Sequence, residues 1–258
     1  MREGSGGGRD RGLFARDAPT PPVNEGDPIP TGCASIDELL GGGFERGTVT
    51  QLYGPPAAGK TNLALSGAIE AAAGGETAVY LDTEDLSIDR FEQIAAARAA
   101  DDDALDRLAS RVVVQSAHDF DEQAEAVRDV ADFAERAGFV ALDSATGFYR
   151  VARLDESDRD AGDALRTVAN QVTHLLGLAR RHDIAIVITN QVFSDPDGDD
   201  ARPLGGHTLE HWSGAILRLD RFRGGNRRAT LEKHRSKPAG ETARFRITGE
   251  GLASVDGP

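Results

Sequence analysis

The sequence predicts an α/β fold, a mostly parallel central sheet flanked by helices and extended by antiparallel edge strands toward the C-terminus. Three observations point there. Short apolar, β-branched runs alternate with amphipathic stretches of helical length between residues 48 and 189, as in a parallel sheet covered on both faces. A glycine-bounded loop, Gly54–Thr61, joins the first such run to the first long helical stretch. From Ala215 onward only strand-like runs remain, and these read as antiparallel strands at one edge of the sheet.

In chain order, residues 1–27 are rich in Gly, Arg, Asp and Pro, with little to bury, and predict a disordered tail ahead of a core spanning 28–258. Ala34–Leu40 reads as a short helix stopped by Gly41-Gly42-Gly43. A strand–loop–helix unit occupies Val49–Ala73, and a second strand, Ala78–Leu81, ends in Asp82-Thr83-Glu84-Asp85. A helix over Ile88–Ala99 leads to the acidic Asp101-Asp102-Asp103. Arg111–Gln115 is a strand, Asp121–Ala137 a helix, and Phe139–Leu142 a fully apolar strand. A longer helix, Asp158–Arg181, precedes the strand Ile184–Thr189. The terminal strands are Ala215–Arg221, Arg228–Lys233 and Thr242–Ile247.

At 258 residues the chain can bury a substantial core. A net charge of -14, three lysines and a surplus of aspartate argue against a generic polyanion binder and suggest a salt-adapted, solvated surface. The single cysteine, Cys33, excludes an internal disulfide. No apolar run approaches a membrane span and no signal-peptide core opens the chain. These features lead us to expect a cytoplasmic protein with no membrane partner.

The chemistry concentrates on Gly54-Pro55-Pro56-Ala57-Ala58-Gly59-Lys60-Thr61, the G-x-x-x-x-G-K-[ST] spacing of a P-loop, followed by Asn62. Successive loop N–H groups and the following helix N-terminus make an anion cradle for nucleotide phosphates. Gly59 allows close backbone approach. Lys60 would reach the β- and γ-phosphates and the Thr61 hydroxyl would ligate Mg²⁺. Phe139–Asp143 is an apolar strand ending in a carboxylate, the Walker B arrangement, and makes Asp143 the second candidate for the metal. Glu84 lies just past a strand end, where ligands of open α/β sheets collect, and a carboxylate there can polarise an attacking water. Gln191, past the end of another strand, can sense a γ-phosphate without adding negative charge.

These residues together resemble the core of RecA-type recombinases, and so imply a RecA-like P-loop NTPase core. The resemblance rests on Leu39-Leu40-Gly41-Gly42-Gly43, the P-loop, Tyr80-Leu81-Asp82-Thr83-Glu84, Leu142-Asp143-Ser144 and Ile188-Thr189-Asn190-Gln191-Val192. Leu204-Gly205-Gly206-His207 and Arg221–Arg228 are similar to the archaeal RadA core. The early start of the core, the Gly-Pro-Pro P-loop and Leu231-Glu232-Lys233-His234-Arg235 resemble RadB, a family of archaeal RadA paralogues. That resemblance implies ATP and Mg²⁺ as cofactors, DNA binding (single-stranded or branched), weak ATP hydrolysis without strand exchange, and assistance to a RadA recombinase in repair. A Holliday-junction resolvase is a further implied partner. By the same resemblance Glu84 is the catalytic carboxylate, Gln191 the γ-phosphate sensor, and Arg90 the arginine that packs on adenine. Two other readings stay open, a KaiC-like regulatory ATPase and a non-enzymatic, ATP-dependent adaptor. Ala57-Ala58 in mid-loop implies a stiff cradle and slow turnover.

For DNA the sequence offers two regions. Thr146–Arg153 carries Phe148, Tyr149, Arg150 and Arg153, aromatics to stack on bases beside arginines for phosphates, although Phe148 and Tyr149 could equally cap the core. The later loop, Phe193–Arg202, is acidic and poorly suited to a phosphodiester. The stretch Arg218–Arg246 reverses the sign of the chain, with Arg221, Arg223, Arg227 and Arg228 as the candidate contacts. These arginines could instead guard edge strands, and Lys233 or Lys237 could reach a nucleotide on a neighbouring subunit.

Overall fold

The computed structural model describes residues 26–150, 158–193 and 202–255. Residues 1–25 of the expected tail, Arg153 and most of the acidic loop lie outside these residues. The described chain forms a nine-stranded sheet. Its parallel part comprises β1 (Thr48–Tyr53), β2 (Thr77–Asp82), β3 (Val112–Ser116), β4 (Ala137–Asp143), β5 (Ala185–Asn190) and, beyond a two-stranded ribbon β6 (Val192–Phe193) and β7 (Arg202–Pro203), β8 (Ala215–Arg221). Then follow β9 (Asn226–Lys233), β10 (Thr242–Thr248) and β11 (Gly251–Ser254). The order across the sheet is β11-β10-β9-β8-β1-β5-β4-β2-β3.

Every residue of β1, β4 and β5 is buried, as continuous apolar runs require when both faces are covered. Alternate side chains serve two cores. Tyr80, Phe139, Ala141 and Val187 face one layer of helices, namely α1 (Ala34–Leu40), α2 (Lys60–Ala73), α3 (Ile88–Ala96) and α4 (Asp102–Ala109). Val79, Val140, Leu142, Ile186 and Ile188 face the opposite layer, formed by α5 (Phe120–Asp129), α6 (Asp158–His182) and α7 (Gly206–Trp212).

The structure departs from the sequence reading at particular elements. Ala215–Arg221 is not an antiparallel edge strand, because it pairs in parallel with β1 and lies inside the sheet. The antiparallel part begins at the β8–β9 pair and continues through β10 to β11. The helix expected over Asp121–Ala137 ends at Asp129, and a 3-10 turn, Val130–Asp132, follows. Five elements have no counterpart in the sequence reading, namely α4, α7, β11 and the ribbon strands β6 and β7. In α4 the Asp101 side chain accepts the Ala104 N–H at 2.7 Å, so the acidic run caps and opens a helix.

Candidate nucleotide site

β1 runs into the loop 54–59 and α2 begins at Lys60, so the loop closes at the carboxyl end of a central strand. Of the two loop glycines, Gly54 makes the tighter approach. A Cβ there would come within 2.2 Å of the Leu219 carbonyl oxygen on β8, and its φ is +155°. Gly59, at φ 109°, is the left-handed residue that turns the loop into α2. The Lys60 Nζ donates to the carbonyls of Gly54 (2.9 Å) and Pro55 (3.2 Å). Burial pulls its pKa below the ordinary lysine value, against the opposing charges of Glu84 and Asp143.

The carboxylates arrive from neighbouring strands in register. β2 and β4 pair with Asp82 opposite Asp143. Asp143 is 2 % exposed and accepts hydrogen bonds from the Tyr80 hydroxyl (2.7 Å) and the Thr189 hydroxyl. Burial raises its pKa, and the hydrogen bonds from Thr189 and Tyr80 oppose that rise. Thr61, the other metal candidate, is close enough to Asp143 to lower that carboxyl's pKa. Asp82 serves the chain itself, accepting the N–H groups of Glu84 (3.0 Å) and Leu86 (2.7 Å), and so shapes the turn that presents Glu84.

Glu84 and Gln191 meet directly. The Gln191 Nε2 and the Ser144 hydroxyl each donate to Glu84 Oε1 at 2.8 Å. Both residues line, with Lys60, Thr61 and Asn62, a cleft of about 400 Å³ over the loop. That volume suits a small-molecule site. A half-buried cation held by carbonyls fits the anionic phosphate chain of a nucleotide. Thr61 and Asp143 offer a hydroxyl and a carboxylate, which suits a Mg²⁺ that takes its remaining ligands from phosphate and water.

Arg90, the adenine candidate, is held by the chain through the edge of its guanidinium. Its Nε donates to Asn62 Oδ1 (2.6 Å), Nη1 to the Thr248 carbonyl (2.8 Å) and Nη2 to the Gly251 carbonyl (3.2 Å). It ties the β10–β11 turn to the first turn of α2.

The DNA candidates scatter. Tyr149 is buried in the second core, the core-capping alternative. Arg150 and Arg227 line the nucleotide cleft. Arg228 donates to Asp220 (3.0 Å) and lies over the Phe222 ring at 5.0 Å. Arg221 and Arg223 are exposed beside Phe222, at the same end of the sheet as the P-loop. Sequence reasoning missed the supporting donors Tyr80, Thr189 and Ser144, although all three stand in the quoted motifs.

A parallel sheet carrying a P-loop at one strand end, carboxylates at the next strands and an amide beside them is the core of a RecA-type P-loop nucleotide-binding protein. The chain belongs to the Rad51 family, matching it over residues 27–255, and within that family to the archaeal RadB group. It is 65 % identical over 232 residues to a DNA repair and recombination protein RadB of Halobacterium salinarum, covering 88 % of this chain and 96 % of the relative. The RadB of Methanococcoides burtonii is 44 % identical over 221 residues, covering 85 % and 95 %. A crystal structure of the RadB recombinase superposes with a TM-score of 0.75 at 36 % identity, covering 88 % of this chain and all of that one.

Proposed function

We propose that this protein binds ATP with Mg²⁺ and acts in DNA recombination and repair as a nucleotide-dependent switch with weak ATPase activity. In this role it would sit on single-stranded or branched DNA in the cytoplasm and assist a RadA-type recombinase rather than exchange strands itself. A Holliday-junction resolvase is a further candidate partner. The names of the RadB relatives support the pathway, and one contact supports the mechanism.

That contact is the hydrogen bond from Gln191 to Glu84. The amide that would sense a γ-phosphate already holds the carboxylate that would polarise water. A triphosphate competing for the Gln191 amide would release Glu84, and so couple nucleotide state to the segment following β5. Lys60 and the loop would bind the phosphates, Thr61 and Asp143 would hold the metal that shields their charge, and Ser144 would keep Glu84 oriented. Hydrolysis is slow in this scheme because the base is restrained by two donors.

The test measures ATP binding, single-stranded DNA binding and phosphate release at molar potassium chloride. We expect binding of both ligands, loss of ATP binding in Lys60→Ala, and turnover reduced about a hundredfold or more in Glu84→Gln with ATP affinity kept. Absence of both ligands from the unaltered protein rejects the proposal. Equal turnover in Glu84→Gln rejects Glu84 as the base and leaves an ATP-dependent adaptor.

A further inference from the structure

Arg227 belongs by sequence to the basic stretch that suggested DNA, and the structure puts it elsewhere. It stands on β9, and its side chain lies across the P-loop. Its Cδ is 3.4 Å from where a Cβ of Gly59 would be, and Nη2 reaches the Ala57 carbonyl at 3.4 Å. Nη1 donates to the Gly225 carbonyl at 2.8 Å, and the buried Nε has no hydrogen-bond partner.

Three other arginines of this stretch have carboxylates. Arg218 pairs with Asp220 and Glu232, Arg228 with Asp220, and Arg235 with Glu45. Arg227 has no ion pair of this kind among the described residues, in a chain with 43 acidic side chains. Burial, and then the charge of Arg221, pull its pKa below the ordinary arginine value. A half-buried cation with an unused donor, on the wall of a cleft that also holds Lys60, lacks an anion.

We infer that Arg227 is a nucleotide ligand supplied by the antiparallel part of the sheet within the same chain, a second cation that contacts the phosphate chain alongside Lys60. This rests on the reading that the cleft takes ATP. It gives the β8–β9 pair a reason to sit over the loop, because a planar guanidinium can bridge two phosphate oxygens while a lysine provides a point charge. It also removes Arg227 from the DNA-contacting set and leaves the exposed Arg221 and Arg223 there.

The experiment is equilibrium binding of ATP, ADP and adenosine to the full chain, unaltered and as Arg227→Gln and Arg227→Lys, with single-stranded DNA binding in parallel. Arg227→Gln keeps a donor for the Ala57 carbonyl and loses the charge, while Arg227→Lys keeps the charge. We expect Arg227→Gln to weaken ATP and ADP about tenfold or more, Arg227→Lys to retain most of the affinity, and adenosine to bind all three alike. In the unaltered protein, ATP but not adenosine should shield Arg227 from phenylglyoxal, read by peptide mass, so the inference stays testable if a variant fails to fold.

Undiminished ATP affinity in Arg227→Gln overturns the inference, as does equal modification with and without ATP. A loss of DNA affinity with ATP affinity intact overturns it in favour of DNA contact. Failure of the unaltered protein to bind ATP overturns the functional reading as well, whereas normal binding with an indifferent Arg227 overturns this inference alone.

Discussion

At the scale of single residues the site turns on how burial and hydrogen bonding divide over one carboxyl. Burial holds Asp143 above the ordinary aspartate value of 3.8 even with Thr189 and Tyr80 donating to it. A carboxyl raised on folding stabilises the native state in its protonated form. That contribution is complete below the ordinary value and is lost as pH climbs through the raised one. Asp143→Asn fixes the position neutral. The difference in melting temperature, variant minus unaltered, should therefore grow as pH rises from about 4 through the raised value. Thermal denaturation across that range checks it, and a difference that stays flat contradicts a desolvated Asp143. Adding Mg²⁺ and ATP should reverse the preference, since a metal favours the ionised carboxylate. Asp143, Glu84 and Gln191 were legible in the sequence because each stands at a strand end, where open α/β sheets gather ligands. The hydroxyls of Tyr80 and Thr189 were not. Their role depends on which side chains the register of β2, β4 and β5 brings together, and a linear sequence does not state register.

At the scale of elements, α2 is the piece that fixes the P-loop against the sheet. Its close packing is set by a small residue. Gly67 faces Phe44 and Phe139, whose ring centroids are 5.7 Å apart. A Cβ at Gly67 would fall 2.7 Å from Phe44 Cε2 and 3.0 Å from two Phe139 ring atoms. Two effects oppose each other in Gly67→Ala. Helix propensity favours alanine by about 0.8–1 kcal/mol. Overpacking a filled core costs about 1–3 kcal/mol, and both rings are fully buried with nowhere to move. Strain should win, so we expect Gly67→Ala to lower stability by about 1 kcal/mol in urea denaturation. An unchanged or raised midpoint would show that the ring pair yields. The strand–loop–helix unit was readable because apolar runs and glycines mark its boundaries. α4 was not, because Asp101-Asp102-Asp103 reads in sequence only as an acidic run, whereas in the structure Asp101 is a cap. The direction of β8 was also hidden. Nothing in the run Ala215–Arg221 distinguishes a strand parallel to β1 from an antiparallel neighbour of β9, and it is both.

At the scale of the molecule, charge is sorted along the chain. Between Glu84 and Glu135, the stretch that carries α3, α4, β3 and α5, fifteen acidic residues meet five basic ones. Between Arg218 and Arg246, from β8 to β10, ten basic residues meet three acidic ones. The net charge of -14 is thus unevenly distributed, and its self-repulsion opposes the compact state. Screening should relieve it. The Debye length falls from about 10 Å at 0.1 M salt to about 3 Å at 1 M, shorter than the spacing of most surface charges. We therefore expect the melting temperature to rise by about 4 °C or more between about 0.1 M and about 1 M potassium chloride, the shift that roughly 1–2 kcal/mol produces in a chain of this size. Potassium chloride is the salt to use, because sulfate also strengthens apolar burial by exclusion and would confuse the two causes. A flat profile would mean that the acidic stretch carries little of the cost. The same salt weakens phosphate pairing at the basic stretch. DNA affinity and fold stability should accordingly move in opposite directions along one titration, and any DNA binding that survives at the upper end must draw on contacts that salt does not screen. The exposed Phe222, between Arg221 and Arg223 at the nucleotide end of the sheet, is the side chain placed to supply one by stacking.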